Sequence, residues 1–409
     1  MSNLSNFYIS QIEDRFVPYW LKFIDKEYGG ILNCITNDGE RLISNDKFSW
    51  SQGRWLYILS LLLEMKDVFS SINYSQIEEA AEKTASFLTK YSYNEAYHVT
   101  FKSNQKGMWL KDERGEYFSS IYADCFVAIG LSEYSKVTNN KAYGAIALKI
   151  TNSILKRIDD GKYNTEPYPI PDGYSSHGIF MILTNLLEVT SSMLEAFNLD
   201  SASLREKQVW CVDTILSKHL DKDRLLIREY VSSSFNDNLL LDRHINPGHT
   251  LEDMWFMIEC FEHNCILNQK LSLICEITKV VTALGWDKEY GGLLRFVDID
   301  GGRPKGIDSK SDYENLISST WDMKLWWPHS EMLYLYRKLY VLTKDKDFDN
   351  YYKMALNYSF STFPSTNNGE WVQIRDRKGE PIDKVVALPV KDPFHIMRDF
   401  LKIIKLEEK

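Results

Sequence analysis

Asn246-Pro247-Gly248-His249-Thr250-Leu251-Glu252 is the stretch from which the fold can be predicted, because its residues are typical of a helix start. Asparagine is a good helix cap, and proline is favoured at the first helical position, where a backbone N–H would lack a partner anyway. Asp392-Pro393-Phe394-His395 repeats the order of cap, proline and histidine, and Trp327-Pro328-His329-Ser330-Glu331 is a third variant. A helix is therefore predicted to begin at each of these points.

Helices are expected along most of the chain, because apolar residues recur every three or four positions. Twelve segments show this pattern, near 4–24, 48–67, 74–91, 118–137, 141–158, 176–198, 201–220, 249–267, 270–285, 321–343, 347–362 and 392–406. Every second segment starts near 48, 118, 176, 249, 321 and 392, which gives one helix pair roughly every seventy residues. Repeated pairs bury their apolar faces against their neighbours. We therefore predict an all-α fold, a single-domain (α/α)6 barrel (toroid) over residues 1–409, with six inner and six outer helices.

Small β-hairpin insertions are expected between some of the helices, at one mouth of the barrel. Three stretches combine an alternating apolar run with a glycine turn, and they span 28–39, 290–301 and 369–379. This combination is the usual sequence pattern of a β-hairpin. Three copies favour an internal repeat over coincidence.

The composition argues against several classes of protein. The 409 residues include 48 basic and 57 acidic side chains, so the basic face that binds a phosphate backbone is missing and no nucleic-acid partner is expected. The longest apolar run, near 56–63, is too short to span a membrane. Residues 1–16 do not resemble a signal peptide, which makes the cytoplasm the expected location. The six cysteines form no CxxC pair and are expected to be free thiols.

His249 and His395 are the candidate catalytic residues. If the inner helices all run in the same direction, both histidines face the cavity from the first turns of two different helices. The partial positive charge of a helix N-terminus disfavours an imidazolium, so each histidine is expected to be neutral and able to accept a proton. Two neutral bases on opposite walls suit the removal of a proton from one face of a carbon and its return to the other. The alternative is that both histidines are structural.

Two glutamates accompany these histidines. Glu252 follows His249 by three residues on the same helix face, where it could orient or charge-stabilise that histidine. It could equally be a first-turn glutamate that only favours the helix dipole. Glu331 lies in the first turn after a proline and could bind a sugar hydroxyl or steer His395.

Arg54 and two tryptophans complete the candidate site. An arginine early in an inner helix could hold an enolate oxygen, although a surface ion pair is an equal alternative. Trp321 and Trp327 would line the mouth of the barrel, where their rings could pack against a sugar. His177 is interpreted as a loop or cap residue. The HxxE spacing is a weak metal motif and no HExxH is present, so no metal site is predicted.

Four motifs resemble the N-acylglucosamine 2-epimerase family, and the resemblance extends from about residue 19 to 401. They are Trp50-Ser51-Gln52-Gly53-Arg54, Asn246-Pro247-Gly248-His249-Thr250-Leu251-Glu252, Trp321-Asp322-Met323-Lys324-Leu325-Trp326-Trp327-Pro328-His329-Ser330-Glu331 and Pro393-Phe394-His395-Ile396-Met397-Arg398. The resemblance implies an (α/α)6 barrel that epimerises or isomerises free, unactivated sugars. It also implies that His249 and His395 match the two catalytic histidines, and that Arg54, Glu252 and Glu331 match active-site residues.

The reaction that the resemblance favours is the interconversion of N-acyl-D-glucosamine and N-acyl-D-mannosamine by two-histidine proton transfer at C2. The Pro-His-Ser-Glu form of the tryptophan motif is similar to the N-acylglucosamine branch. Two alternatives on the same scaffold stay open, an aldose–ketose isomerase of the mannose/fructose type and a cellobiose 2-epimerase. The stretch 387–393 departs from the N-acylglucosamine branch, and Met181 stands where cellobiose epimerases have a histidine.

Two further classes are considered. An (α/α)6 glycoside hydrolase would need two cavity carboxylates, for which Asp124, Asp172, Glu252 and Glu331 are the candidates. A non-catalytic sugar-binding toroid would keep the aromatic mouth without needing both histidines. No cofactor is expected to be required, and ATP as an allosteric activator is implied by the resemblance alone. A sugar is the expected small-molecule partner, and a homodimer is left open.

Overall fold

Helices dominate the computed structural model, which describes residues 2–233, 235–367 and 369–408. The α-helices are, in chain order, α1 (Asn3–Gln11), α2 (Val17–Trp20), α3 (Ser49–Glu64), α4 (Tyr74–Tyr91), α5 (Ile121–Thr138), α6 (Lys141–Asp159), α7 (His177–Ala196), α8 (Ala202–Thr214), α9 (Leu240–Arg243), α10 (Pro247–His263), α11 (Leu267–Gly285), α12 (Asp312–Thr320), α13 (Trp326–Thr343), α14 (Lys346–Thr362) and α15 (Phe394–Glu407).

The strands are short. They are β1 (Cys34–Ile35), β2 (Leu42–Ser44), β3 (Lys47–Phe48), β4 (Lys102–Ser103), β5 (Trp109–Leu110), β6 (Tyr174–Ser176), β7 (Leu220–Asp221), β8 (Leu226–Ile227), β9 (Tyr230–Ser232), β10 (His244–Ile245), β11 (Val297–Asp298), β12 (Lys324–Leu325) and β13 (Ile374–Arg375). They pair in small antiparallel sheets.

Six helices form a closed inner ring. Neighbours in the ring are α3, α5, α7, α10, α13 and α15, and α15 packs back against α3. Each inner helix is backed by one outer helix, in the same order α4, α6, α8, α11, α14 and α1. This arrangement confirms the predicted (α/α)6 barrel.

The helix boundaries differ from the prediction in a few places. The first predicted segment is interrupted by a π-helical turn at Ile12–Phe16 and ends in a 3-10 turn at Leu21–Phe23. Two helices, α9 and α12, were not predicted. The inner helix expected from residue 321 begins only at Trp326, because β12 occupies the residues just before it.

The inner helices are buried on nearly all sides, whereas the outer helices bury one face. In the described part of the chain, α7 is long and apolar enough to cross a membrane, but 78% of that window is buried, as expected inside a barrel. Two glycines bring α3 and α5 into close contact. A Cβ atom on Gly53 would lie 2.3 Å from the Phe126 carbonyl oxygen, and one on Gly130 would lie 2.3 Å from that of Gly53. This close approach places Arg54 beside α5.

The strands gather at the mouth where the inner helices begin. β3, β6, β10 and β12 lead directly into α3, α7, α10 and α13. Their partners are β4, β9, β11 and β13, which come from later parts of the chain. A strand that leads into a buried helix needs partners for its backbone groups, and these returning segments supply them.

Two of the three expected hairpins form across their own turns. In the stretch 28–39 the turn lies between β1 and its partner β2. In 290–301 and 369–379 the glycine turns are present, but β11 and β13 pair with β10 and β12. The stretch 369–379 also pairs beyond its own turn, where Arg375 bridges Pro381 and the Ile382 N–H donates to the Ile374 carbonyl at 3.2 Å, whereas β11 finds its strand partner across the mouth.

Candidate active site

A cavity opens at the mouth where the inner helices begin. It encloses about 1380 Å³, including the part open to solvent. All six inner helices contribute to its wall, through Arg54, Phe126, Met181, His249, Trp327 and His395. The helix-start motifs of the sequence therefore converge on one space.

His249 stands in the first turn of α10. The Asn246 side chain caps this helix by accepting a hydrogen bond from the His249 backbone N–H, at 3.2 Å. Nδ1 of His249 lies 2.9 Å from Oε2 of Glu229, a buried residue. Because a carboxylate can only accept, Nδ1 carries the proton and Nε2 is the basic nitrogen of the neutral ring. The His249 side chain is 29% exposed, toward the cavity.

His395 has the same arrangement at the start of α15. Its Nδ1 lies 2.6 Å from Oε1 of Glu331, so its Nε2 is likewise the basic nitrogen. Burial lowers the pKa of His395 to about 3, although Glu252 opposes this shift. For His395, burial therefore accounts for the predicted neutral state. Asp392 caps the helix by accepting from the Phe394 N–H at 2.8 Å.

The Trp327 indole lies between the two histidines. Its ring centroid is 5.3 Å from that of His249 and 5.6 Å from that of His395. Gly248 allows this placement, because a Cβ atom there would lie 2.6 Å from Cη2 of Trp327. The indole thus separates two bases on the helices either side of α13 and offers a flat apolar surface between them.

Arg398 joins the two predicted glutamates. Its Nη2 donates to Glu252 at 2.6 Å and also to Glu331, whose second oxygen accepts from Trp255 Nε1 at 2.7 Å. Glu331 therefore steers His395, one of its two predicted roles. The i,i+3 spacing suggested that Glu252 could orient His249, but Glu252 does not contact that histidine. Its carboxylate turns to the cation on α15 and lies 3.7 Å from Nδ1 of His395.

Arg54 lines the cavity from α3. Its guanidinium is bound to Asp392 and lies 4.0 Å from the ring centroid of Phe126 and 4.8 Å from that of Phe394. The surface ion pair is thereby ruled out, because both partners are buried. A buried cation at the cavity wall can stabilise an oxyanion.

Trp321 does not belong to the site. It is not among the residues lining the cavity in the described part of the chain. It ends α12, and the Arg377 guanidinium lies 5.6 Å from its ring. The physical reason is the late start of α13, which leaves Trp321 outside the ring while Trp327 enters it.

Four residues that belong to this site were not identified as site residues from the sequence. Arg398 follows His395 by three residues, so the spacing rule applied to His249 would have found it. Asp392 was identified as a cap but not as the partner of Arg54. Glu229 and His177 had no local signal. Pairing of β6 with β9 brings them together, and the His177 N–H donates to the Glu229 carbonyl at 2.9 Å.

Two groups of three side chains are close enough to share a metal ion. One contains His177, Glu229 and His249, and the other contains Glu252, Glu331 and His395. In the second group a guanidinium already binds both carboxylates, and in the first Glu229 lies against both imidazoles. The absence of a required metal remains a prediction.

Comparisons with known proteins identify the family of this chain. The sequence profile described as N-acylglucosamine 2-epimerase (GlcNAc 2-epimerase) matches residues 29–398. The mouse protein named N-acylglucosamine 2-epimerase is 27% identical over 405 residues, which covers 95% of this chain and 88% of its own. The cellobiose 2-epimerase of Dictyoglomus turgidum is 23% identical over 420 residues and covers 96% of each chain.

Similarity to solved structures supports the fold. The cellobiose 2-epimerase from Bacillus thermoamylovorans B4167 superposes with a TM-score of 0.76 at 18% sequence identity, over 99% of this chain and 100% of that one. The family profile extends over most of the sequence and includes all four motifs that begin the inner helices. The chain therefore belongs to the N-acylglucosamine 2-epimerase family.

Proposed function

We propose that this protein is a 2-epimerase of free sugars, and that its substrates are N-acyl-D-glucosamine and N-acyl-D-mannosamine. One observation carries the proposal. His249 and His395 flank the Trp327 indole in one cavity, and each has its Nδ1 held by a buried carboxylate. Two bases held in this way suit proton transfer at opposite faces of one carbon.

The reaction begins with the open-chain form of the sugar, because its aldehyde acidifies the proton at C2. Nε2 of one histidine removes this proton, and the electron pair of the C–H bond moves into an enolate whose charge lies on O1. Nε2–H of the other histidine then delivers a proton to the opposite face of C2. The histidine that removes the proton starts neutral, as burial keeps His395, and the one that delivers a proton starts as an imidazolium, so the two histidines exchange roles in the reverse reaction.

Charged neighbours support both steps. Arg54 is the cation available to the enolate oxygen. Glu331 fixes the ring of His395 and stabilises the imidazolium that forms when this histidine takes the proton. Arg398 offsets part of the negative charge of the carboxylates Glu252 and Glu331.

The choice of an N-acyl sugar has two supports. The mouse relative carries the name N-acylglucosamine 2-epimerase and is more similar in sequence than the cellobiose 2-epimerase. Val386, Leu388 and Val390 add apolar side chains to the cavity wall, and these offer a surface for an acyl methyl group.

Two other reactions are distinguished by their products. An aldose–ketose isomerase of the mannose/fructose type would use one base to move the proton from C2 to C1, and a cellobiose 2-epimerase would act on a disaccharide. Incubation with N-acetylglucosamine, mannose, glucose and cellobiose, followed by chromatography of the products, separates these activities. N-acetylmannosamine from N-acetylglucosamine supports the proposal, and a ketose or an epimerised disaccharide as the main product contradicts it.

An inverting glycoside hydrolase is less consistent with the geometry. Inversion needs two carboxyl groups ~6.5–9.5 Å apart. Glu252 and Glu331 approach within 4.8 Å through their ligand oxygens and share Arg398. Asp124 is bound to Arg157, and Asp172 is exposed outside the cavity.

Four wider features belong to the same proposal. The whole chain acts as one catalytic domain, because the ring of inner helices needs both its first and its last member. A cytoplasmic location is supported by the six cysteines, all of which are free thiols. ATP activation and a homodimer are retained as family-based expectations, which activity assays with ATP and analytical ultracentrifugation test.

A further inference from the structure

His177, the first residue of α7, lies behind His249 and is almost fully buried. Its Nε2 lies 2.9 Å from Oδ2 of Asp253, and its Nδ1 lies 3.9 Å from Oε2 of Glu229. The same Glu229 oxygen accepts the hydrogen bond from Nδ1 of His249. A continuous line of polar contacts therefore runs from Asp253 through His177 and Glu229 to the cavity.

The other catalytic candidate has the same arrangement with a different cation. Glu331 holds Nδ1 of His395, and the guanidinium of Arg398 contacts Glu331 from the far side. At His249 the corresponding carboxylate is Glu229, and the cationic group that faces it is the imidazole of His177.

We propose that His177 is a positioning residue, which holds Glu229 and thereby sets the orientation and the basicity of His249. Its role in catalysis rests on the proposed function. The effect of the His177 charge on the pKa of His249 does not require a bound substrate.

The surroundings keep His177 charged. Burial alone would lower the pKa of His177, but the hydrogen bond to Asp253 and the nearby carboxylate of Glu229 outweigh it and raise the pKa to about 9. Burial would raise the pKa of Glu229, but His249 and His177 hold it well below its usual range. The nearby ring of His219, 5.9 Å from that of His177, is neutral because burial and the His177 charge lower its pKa to about 4.

Further titratable side chains face this group, Tyr122 from α5, Tyr230 from β9 and His244 from β10. Burial raises the pKa of Tyr230 and lowers that of His244, so both stay neutral near pH 7. The Tyr122 hydroxyl approaches Gly178, the residue after His177, and burial raises its pKa far above the neutral range. The charges behind His249 are therefore those of Asp253, His177 and Glu229. Their sum is −1 when His177 is an imidazolium and −2 when it is neutral.

Removal of the His177 charge should make His249 hold its proton more tightly. The two rings lie 6.5 Å apart, and a charge at about that distance shifts a pKa by about one unit. The sign does not depend on the direction of the reaction. Whether His249 acts as base or as proton donor, the limb of the pH profile that belongs to it moves to higher pH.

His177→Gln tests the inference, because glutamine can still donate to Asp253 but carries no charge. Titration of the ¹⁵N-labelled imidazoles by NMR should show the pKa of His249 raised by about one unit. The kcat/KM profile should show the same upward shift of one limb, and kcat should fall more than KM changes. His329→Gln is the matched control, since His329 is a buried first-turn histidine that bonds to backbone groups only.

The double variant His177→Gln/Asp253→Asn provides the rescue. It removes one positive and one negative charge, so the sum behind His249 returns to −1 and the pKa shift should largely disappear. An unchanged His249 pKa in the single variant, or an equal shift in the double variant, overturns the inference. A loss of activity with unmoved pH limbs means that His177 is only structural.

The two proposals fail in different ways. If His249 titrates as expected by NMR but none of the sugars is epimerised, the proposed function is wrong and the charge coupling stands. If epimerisation is normal and His249 does not respond to His177→Gln, only the coupling is wrong.

Discussion

Nδ1 of His395 lies 2.6 Å from Oε1 of Glu331, and the two side chains are 7% and 0% exposed. A carboxylate in this position fixes the tautomer of the ring and supports the imidazolium formed during proton transfer. Burial meanwhile keeps the resting histidine neutral. The same contact therefore makes His395 available as a base and stabilises it once it has reacted.

Replacement of either histidine should abolish most of the activity. His249→Asn or His395→Asn removes the basic Nε2, and we expect turnover to fall by at least ~100-fold, the lower end of a general-base contribution. Helical circular dichroism should be nearly unchanged. His98→Asn, outside the cavity, is the control. Turnover near the wild-type rate in either variant would remove that residue from the mechanism.

Gly248→Ala should disturb Trp327 more than it disturbs the fold. The new methyl group would meet the indole at about 2.6 Å, so the ring must move away from its place between the histidines. We expect a changed tryptophan fluorescence spectrum and a clear fall in kcat/KM. The double variant Gly248→Ala/Trp327→Phe has more room and should recover part of the loss. An unchanged kcat/KM in the single variant would show that the indole position is not needed.

Exhaustive chelation should leave turnover intact. Both candidate metal-ligand groups are already paired within the protein, and proton transfer between two histidines needs no Lewis acid. The measurement is activity after dialysis against a chelator, with metal content checked by mass spectrometry. Activity that is lost and then restored by one divalent ion would contradict this expectation, and His249 with Glu229 would be the first ligands to test.

In D2O the product should contain deuterium at C2 from the first turnover. The proton donor and the base are different histidines, so the delivered hydron comes from a site that has exchanged with solvent. Substrate recovered early should contain much less deuterium, because its own face meets the base that holds the abstracted proton. NMR of product and recovered substrate checks both. Product that retains its original hydrogen would exclude the two-base scheme.

The contribution of His329 to stability should decrease in acid. Burial lowers the pKa of His329 to about 3, whereas an unfolded histidine titrates near ~6.5. Its contribution is therefore present above ~6.5 and is lost as the pH falls toward the folded pKa.

Urea unfolding of the wild type and His329→Gln provides the measurement. Between about pH 6 and 5, the difference in unfolding free energy should shrink by about 1.2 kcal/mol. Buried carboxyl groups titrate alike in both proteins and cancel in the comparison. A difference that stays constant over this range would mean that His329 is not held neutral by burial.

Sequence reasoning succeeded where the signal is local. Helix periodicity and the cap at Asn246 need only neighbouring residues, and they located the inner helices that carry both histidines. It failed where a remote segment decides the outcome. The two-residue strand before Trp326 exists because β13 pairs with it, and this displaced Trp321 from the predicted site.

The carboxylates show the same limit. Spacing indicated which face of α10 carries Glu252, but it could not show that a guanidinium on α15 lies opposite that face. Glu229 lies 20 residues before His249 and reaches it only through strand pairing across the mouth. Arg398 was accessible to the sequence, since it follows His395 at helical spacing.

The closure of the ring by α15 against α3 also orders events during protein synthesis. The ion pair between Arg54 and Asp392 joins residues separated by 338 positions, and His395 belongs to the last inner helix. Because chains emerge from the ribosome N-terminus first, five inner helices and their outer partners can pack before that helix arrives. Until α15 packs, the ring therefore has a gap between α3 and α13. His395 joins the site only when α15 closes this gap.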